Sequence, residues 1–175
     1  VRAVDNVMQN YPIYKSHPFD TGKEYNGGVA HGLTFTDVLD RMYELTGNRK
    51  YLEYAAFLYM DYSHFFSWEQ DAQLTNVLNK NYKLKCHAVH TYEHLRSLIV
   101  AASMLEDKQV KQALADYLQK IADVVTPTGG AIGDEWIAER LADATHTGYE
   151  YCSLHELMDS YSVLFQKTGL TKYAE

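Results

Sequence analysis

The chain has 175 residues, of which 46% are hydrophobic and 22% charged, and its formal net charge is −7 at pH 7. This composition predicts one globular domain with a sizeable core and argues against disorder. The 16 lysines and arginines are scattered, and no apolar run reaches the roughly 18–20 residues of a membrane span, so we expect neither nucleic acid nor a membrane as a partner. The compartment stays open, because the chain shows no signal-peptide pattern and two cysteines do not define a redox environment.

Apolar residues recur at steps of three and four along most of the chain, which is the spacing of helices with one buried face. The first clear pattern ends at Thr46-Gly47, where glycine suits a left-handed C-terminal cap, and the last ends in the same way at Thr168-Gly169. The sequence "TPTGGAIG" lacks the pattern and predicts a turn-rich loop over residues 126–133. We therefore predict helices over residues 32–45, 49–64, 87–104, 109–125 and 153–167, with a short helix within 73–78.

Two similar phrases follow the first and last of these helices. "TGNRKYLE" at residues 46–53 and "TGLTKYAE" at residues 168–175 share Thr, Gly, Lys, Tyr and Glu, which indicates a repeated helix-turn-helix unit. Successive units begin near Gly32, His87 and Ser153, a much longer interval than the roughly 34 residues of a tetratricopeptide repeat. Long hairpins favour a closed double layer over an open solenoid. The fold class predicted is all-α, with helical hairpins forming part of an α/α barrel.

Three segments place chemically useful residues at predicted helix starts, and the first is "KCHAVHTYEHLR" at residues 85–96. His87 begins the helix and is the histidine best placed to face a groove. His90 and His94 are four residues apart on one face, but we find no acidic or third histidine ligand at a matching step. We therefore expect His90 and His94 to pack against neighbouring helices.

The second segment is "GGAIGDEWIAER" at residues 129–140, in which a glycine-rich bend leads to Asp134 and Glu135 beside Trp136. A carboxyl buried against an aromatic ring keeps its proton to higher pH and can act as a general acid on a glycosidic oxygen. The alternative is that the two acids cap a short helix, whose first N–H groups attract negative charge. The spacing alone does not separate these interpretations.

The third segment is "GYEYCSLHELMD" at residues 148–159. On a helix Glu150 and Cys152 would point about 200° apart, so they can share a metal ion only if the chain is extended there, as the preceding "THTG" suggests. A thiol at a helix start meets the positive end of the dipole, which predicts thiolate character for Cys152. His155 would be the next available ligand, whereas Glu156 and Asp159 are expected on the helix surface.

Motifs in these three segments resemble those of the bacterial β-L-arabinofuranosidase-like glycoside hydrolases, a family with six-hairpin α/α barrels. "CHAV" at residues 86–89 is similar to the family's "GHAV", and "GAIGDE" at residues 130–135 to its glycine-rich "GxxGDE"-like loop. "YEYC" at residues 149–152 is similar to "TETC" or "TELC", which opens a helix ending in "TGD", matched here by "KTGL" at residues 167–170. The resemblance covers most of the chain and includes "HGLTFTDVLDRMYELTGNRKYLEYA", which looks like a scaffold hairpin of the family.

This resemblance implies a retaining glycosidase for an oligosaccharide or polysaccharide, in which a cysteine thiolate attacks the anomeric carbon and a glutamic acid protonates the leaving group. By position, Glu150 and Cys152 would be zinc ligands, Glu135 the acid/base and His87 a sugar-contacting residue, with Asp134 or Glu139 as alternative acids. The family's zinc site uses two further cysteines downstream, one of them the nucleophile, and these 175 residues do not include that pair. We therefore expect residues 1–175 to be part of a catalytic barrel domain in a longer protein.

Two other functions are compatible with the same helical hairpins. A related barrel serves unsaturated-uronide hydrolases and polysaccharide lyases, which rely on Asp, His and Tyr instead of zinc and cysteine. A non-catalytic helical-repeat module that binds a protein would use the repeated "TGxxKYxE" phrase for structure only. Convergence of His87, Glu135 and Cys152 would favour an enzyme, whereas the binding module predicts that they are scattered and solvated.

Overall fold

The computed structural model of the protein describes residues 1–22 and 27–174, without the side chains of residues 27–29. Within these residues the fold is all-α, as predicted, and the only β-type pairing is two isolated bridges. No helix in this part of the chain is long and apolar enough to cross a membrane. The helices are α1 (Arg2–Asn10), α2 (Gly27–Gly32), α3 (Phe35–Thr46), α4 (Lys50–His64), α5 (Leu74–Leu78), α6 (Ala88–Met104), α7 (Lys108–Ala122) and α8 (Tyr151–Thr168), followed by a 3-10 turn at Thr171–Tyr173.

The predicted helices are present within a few residues of their expected ends, and α1 and α2 are additions. The N-terminal α1 buries only Val4, so its sequence lacks the repeated apolar residues by which the other helices were predicted. The six-residue α2 is too short for a periodic signal. Its neighbour α3 begins at Phe35, three residues later than predicted, because Leu33 and Thr34 form a turn between the two helices.

Helix α6 lies at the centre of the packing and contacts α3, α4, α7 and α8. Most of its residues are buried, including the polar side chains of Glu93, His94 and Arg96. Burying a charged or polar side chain is unfavourable unless it finds a partner. A helix that carries three such residues in the core is therefore a natural place to look for function.

In both repeated phrases the glycine ends the preceding helix in the same way. Gly47 ends α3 with φ +66°, and Gly169 ends α8 with φ +69°, which is the left-handed conformation that glycine adopts without steric cost. In each case the glycine N–H donates to the carbonyl four residues earlier, at Tyr43 or Phe165. The predicted helix-turn-helix unit is present for α3 and α4, while the described residues after α8 form only a 3-10 turn, and closure of the units into a ring stays a prediction.

The buried tyrosines connect helices to loops. Five of them are almost fully buried, and each hydroxyl donates a hydrogen bond to a backbone carbonyl. This arrangement satisfies the one polar atom of a large apolar side chain. These five tyrosines therefore serve packing. The bonds are Tyr54 to Tyr11, Tyr59 to Ala72, Tyr62 to Glu69, Tyr92 to Ile132 and Tyr117 to Thr91.

Candidate functional site

Residues from all three predicted segments converge at one place, at the start of α6. His87 Nε2 lies 3.1 Å from Glu135 Oε2. Glu150 joins them, since the nearest ligand atoms of His87, Glu135 and Glu150 all lie within 4.8 Å of one another. Because they are far apart in sequence, the fold and not local chain geometry brings them together. We call these three residues the acid/base group.

Backbone pairing positions this group. The segment before α6 runs alongside the segment after Glu135, with Ala88 N donating to Glu135 O at 2.8 Å and Ile137 N donating to Cys86 O at 3.0 Å. On the other side the glycine-rich loop lies directly on the start of α8. A Cβ on Gly133 would come within 2.0 Å of Ser153 Oγ, so only glycine permits this approach.

Glu135 has an unusual backbone for a residue with a side chain, with φ +73°. Such conformations cost free energy and are maintained when the surrounding structure fixes them, often at functional sites. Its side chain is 69% exposed, so the burial against Trp136 that the sequence suggested is absent. Trp136 is instead exposed itself and meets the ring of His87 edge-on, with centroids 5.8 Å apart. The carboxylate is held by His87 and stays accessible to solvent.

Asp134, the neighbouring candidate, has a different environment. Both of its carboxylate oxygens accept hydrogen bonds from the Arg140 guanidinium, which keeps the pKa of Asp134 below its usual range. A carboxylate with a lowered pKa remains ionised and is a poor proton donor. The structure therefore gives Asp134 a role in fixing the loop and leaves Glu135 as the acid that faces the group.

Glu150 and Cys152 lie at the start of α8, which begins at Tyr151. Glu150 has extended φ/ψ values of −92° and 132°, so the non-helical lead-in that a shared metal ion requires is present. One of its carboxylate oxygens, Oε2, is buried and has no hydrogen-bond partner in the described part of the chain. The exposed Cys152 lies beside this residue, and the hydrogen bond and charge of Glu150 raise the pKa of its thiol. The expected thiolate character is thus wrong for the metal-free protein.

The remaining polar residues of α8 make other contacts. His155 lies 3.6 Å from Glu156 and 3.7 Å from Asp159, and its ring stacks on Tyr151, so it is not part of the acid/base group. Glu156 is not simple helix surface as predicted, because Arg96 of α6 forms an ion pair with it at 2.7 Å. Asp159 is exposed, as expected.

A second group of potential ligands, which we call the imidazole group, lies next to the first. It consists of His31, His90 and Glu93, whose nearest ligand atoms lie within 4.8 Å of one another. The Nε2 atoms of the two histidines are 3.3 Å apart. The ring of His90 also meets the ring of His87, with centroids separated by 4.9 Å. The structure therefore contains two adjacent His/Glu groups that could hold a metal ion.

Glu69 lies behind both groups and is buried. One carboxylate oxygen accepts a hydrogen bond from the His87 backbone N–H at 3.1 Å, at the first turn of α6. The other oxygen lies 3.4 Å from His90 Nδ1, although these atoms are not aligned for a hydrogen bond. This side chain thus contacts a member of each group.

Burial has opposite effects on the two titratable side chains further along α6. It raises the pKa of Glu93 to about 7 and lowers the pKa of His94 to about 3, where the positive charge of His90 adds to the effect. His94 Nε2 lies 3.0 Å from the carbonyl of Ala30, so this histidine packs in the core as predicted. His90 does not simply pack, because it belongs to the imidazole group.

Sequence reasoning missed His31, Glu69 and Glu93. A signal for Glu93 was present, since it follows His90 by three residues and such a step places two side chains on one helix face. The statement that no acidic ligand lies at a matching step was therefore wrong. For His31 and Glu69 no local signal exists, because tertiary packing alone brings them to α6.

Two open cavities lie away from these groups. One of about 440 Å³ lies between α7 and the segment before α6, and includes Lys120 and Tyr82. Another of about 760 Å³ lies along α4 and includes Phe57 and Met60. Neither cavity is lined by a member of the acid/base group or of the imidazole group, so cavity size does not indicate the chemistry here.

The geometry of the site is the main basis for assigning function to this chain. His87, Glu135 and Glu150 form one group, with Cys152 beside Glu150, and His31, His90 and Glu93 form another. The motif resemblance to β-L-arabinofuranosidase-like hydrolases stays a prediction. None of the protein-family models, curated proteins or solved structures compared with the chain matches it.

Proposed function

We propose that this chain carries the acid/base site of a glycoside hydrolase that cleaves an oligosaccharide or polysaccharide. The observation that supports this proposal is the convergence of His87, Glu135 and Glu150 beside the exposed ring of Trp136. Hydrolysis of a glycosidic bond needs a proton donor for the leaving oxygen. It also needs a second group that attacks the anomeric carbon or activates a water molecule to do so. A helical module that only binds a protein gives no reason for His87 and Glu135 to meet, and the third member of the group is Glu150, where Cys152 was expected.

Glu135 acts as the general acid/base in this proposal. Its carboxyl group is exposed to incoming substrate, and His87 holds it through a contact of 3.1 Å, so a glycosidic oxygen can approach it directly. The strained backbone at φ +73° aims the side chain at the group. Because Asp134 is engaged by Arg140, it positions the loop but does not transfer the proton.

Exposed aromatic side chains flank the acid/base group along the chain. Trp136 follows Glu135, while Tyr149 and Tyr151 lie on either side of Glu150, and all three are exposed. Aromatic rings present flat apolar faces that stack against the C–H face of a sugar, and tyrosine adds a hydroxyl. This supports a carbohydrate as the substrate class.

Glu150 and Cys152 fit a zinc ion as donors. They lie side by side, one carboxylate oxygen of Glu150 is buried without a partner, and carboxylate and thiolate are both ordinary zinc ligands. When bound, zinc would keep a cysteine sulfur deprotonated. The retaining course, the nucleophilic cysteine and the six-hairpin barrel follow from the motif resemblance and belong to this proposal as well.

The proposal predicts a particular response to loss of the acid. In a protein with measurable glycosidase activity, Glu135→Gln lowers kcat/KM on substrates with poor leaving groups by about 10²–10⁴-fold, the usual contribution of general acid catalysis. Aryl glycosides with acidic phenols need little protonation and should lose far less activity. The measurement compares kcat/KM for the two substrate types across pentosides and hexosides of both anomers.

Glu139→Gln is the matched control, because Glu139 is an exposed acid of the same loop with a similar φ of +60°. This variant should keep kcat/KM on both substrate types within about twofold of the wild-type value. If Glu135→Gln reduced activity on both leaving groups equally, or if Glu139→Gln matched it, Glu135 would not be the acid. If the wild-type protein cleaved none of these glycosides, the glycosidase assignment itself would fail.

A further inference from the structure

We propose that His31, His90 and Glu93 bind a divalent transition-metal ion of the zinc type, at a site separate from Glu150 and Cys152. This inference does not depend on the proposed function, because it rests on the geometry of the imidazole group alone. Helix α6 supplies His90 and Glu93 from one face, three residues apart, and α2 supplies His31.

The spacing of the two imidazoles fits a tetrahedral ion. Zinc–nitrogen bonds of about 2.0–2.1 Å at a tetrahedral angle place two nitrogens roughly 3.3–3.4 Å apart. The Nε2 atoms of His31 and His90 are 3.3 Å apart, which is the separation of two imidazole nitrogens that share one tetrahedral ion. Neutral imidazoles offer a lone pair at this nitrogen, which is the form that binds metal.

Glu93 supplies an independent sign that a cation belongs there. The residue is only 7% exposed, and its Oε1 atom is buried with no hydrogen-bond partner among the described residues. This oxygen lies 4.0 Å from His90 Nε2. A shift of about half an ångström would bring the two atoms to the separation expected of two ligands on one zinc ion. An unpartnered buried carboxylate oxygen is expensive, and coordination would satisfy it.

Glu69 provides the outer partner that such a site needs. Histidines that bind metal through one ring nitrogen usually direct the other at a carboxylate, which fixes the ring and strengthens the ligand. His90 Nδ1 lies 3.4 Å from Glu69 Oε1, close to but not aligned for a hydrogen bond, while its Nε2 lies 3.3 Å from His31 Nε2, so a small rotation on metal binding would complete the outer contact. The carboxylate is itself anchored by the backbone N–H of His87.

The ligand set points to zinc-like ions and to an open coordination position. Two imidazoles and one carboxylate suit zinc and its transition-metal neighbours, whereas calcium and magnesium prefer oxygen-only sites. Three protein ligands leave the fourth position for water or for a ligand. His31 is exposed, so this position can be reached from solvent.

Titration calorimetry of the metal-stripped protein with zinc chloride tests the site. We expect one high-affinity equivalent at this site, and a loss of at least tenfold in affinity on His31→Ala and on Glu93→Gln. His31 is exposed, so His31→Ala should keep the fold, and unchanged thermal unfolding without metal verifies this. His155→Ala, which removes another exposed histidine placed between acids, should leave the affinity unchanged.

Cobalt substitution separates this site from one at Glu150 and Cys152. Cobalt(II) in the imidazole group should give d–d bands without sulfur-to-metal charge transfer, and Cys152→Ser should leave that spectrum and the zinc affinity intact. If Cys152→Ser lost the high-affinity zinc site, or if His31→Ala bound zinc as tightly as the wild type, the proposal would be overturned. Equal weakening by His155→Ala would show that zinc binds only to surface histidines, and would overturn it as well.

Discussion

Glu93 and His94 are consecutive residues whose pKa values burial moves in opposite directions. The pKa of Glu93 rises to about 7 and that of His94 falls to about 3, so near neutral pH the folded protein keeps His94 neutral and holds Glu93 close to half protonated. Their neighbours also titrate or carry charge, among them His31, His90 and Arg96. The pH dependence of stability should therefore contain contributions of both signs.

The His94 contribution can be isolated by substitution. An unfolded chain protonates this histidine below about pH 6.5, while the folded protein does not until about pH 3, so its stabilising effect is complete above 6.5 and is lost as the pH falls. His94→Gln keeps a donor for the Ala30 carbonyl but does not titrate. Between pH 7 and 5 the wild type should lose about 2 kcal/mol more of its unfolding free energy than the variant.

Urea unfolding of metal-free protein at several pH values measures this difference. The opposing contribution of Glu93, whose raised pKa stabilises the fold as the pH falls from about 7, is present in both proteins and largely cancels. Parallel curves for the two proteins would show that His94 is not kept neutral by the fold.

Among single residues, the sequence predicted those that are marked by a local pattern. His87, Glu135 and Glu150 were found because each lies at a break in apolar periodicity, at a helix start for His87 and Glu150 and in a glycine-rich loop for Glu135. Asp134 was not separable from Glu135 by spacing, since the Arg140 contact depends on how the loop folds. His31 was invisible for the same reason, because its partner lies 59 residues away.

Among the elements, the loop of residues 126–133 depends on α6 for its position. Tyr92 reaches out of α6 and donates to the carbonyl of Ile132 at 2.7 Å, one residue before Gly133. The bond ties the loop that leads to Glu135 to the helix that carries His87. A single buried hydroxyl thus helps to set the distance between two members of the acid/base group.

Tyr92→Phe should loosen this loop. We expect a loss of about 1 kcal/mol of stability, typical of one buried hydrogen bond, and faster hydrogen exchange at the amides of Ile132 and Gly133. Tyr117→Phe is the matched control, because it removes a buried bond of similar length, 2.9 Å, to Thr91 inside α6. It should cost a similar free energy without accelerating exchange in the loop, and equal acceleration in both variants would count against this role.

Helix boundaries were predictable to within a few residues because glycine caps end α3 and α8 and a Pro/Gly-rich stretch follows α7. The short α2 was not, since six residues show no period and its stability comes from contacts such as that of Ala30 with His94. Local patterns define long elements, and tertiary packing defines the short one that carries His31.

For the molecule as a whole, Arg96 joins three helices. From α6 its guanidinium pairs with Asp37 of α3 at 2.8 Å and with Glu156 of α8 at 2.7 Å, and it is largely buried. Helices α3 and α8 are the ones that end in the repeated phrase. The ion network therefore links the first and last helical units through the central helix.

Removing Arg96 should destabilise the whole fold. Arg96→Met leaves two partly buried carboxylates facing each other, and breaking such a network costs about 3–5 kcal/mol. Adding Glu156→Gln to that variant should recover part of the loss, because it removes one uncompensated charge. Arg41→Met, which breaks an exposed pair with Glu44, is the control and should cost less than about 1 kcal/mol by chemical denaturation. A similar cost for both single variants would exclude a network role.

The all-α class followed from periodicity, but the arrangement of hairpins around a ring did not. Periodicity reports which face of a helix is buried, and it carries no information on which helix covers that face. Helix α6 is central because apolar residues lie on all of its sides. Such a sequence looks the same in a membrane span and in a helix buried inside a protein, so it does not show which neighbour covers which face. The barrel therefore remains an expectation drawn from the hairpin spacing and the motif resemblance.

The position of Glu69 has one more consequence. One of its oxygens accepts a hydrogen bond from the His87 backbone N–H and the other lies 3.4 Å from His90 Nδ1, so a ligand that moved this carboxylate at one group would also change the surroundings of the other. Thermodynamic linkage makes such an effect reciprocal: a ligand at the first group that changes the affinity of the second for a metal ion must itself bind with an affinity that the metal changes by the same factor. The two neighbouring groups would then behave as one cooperative unit, and Glu69 would transmit the effect in both directions.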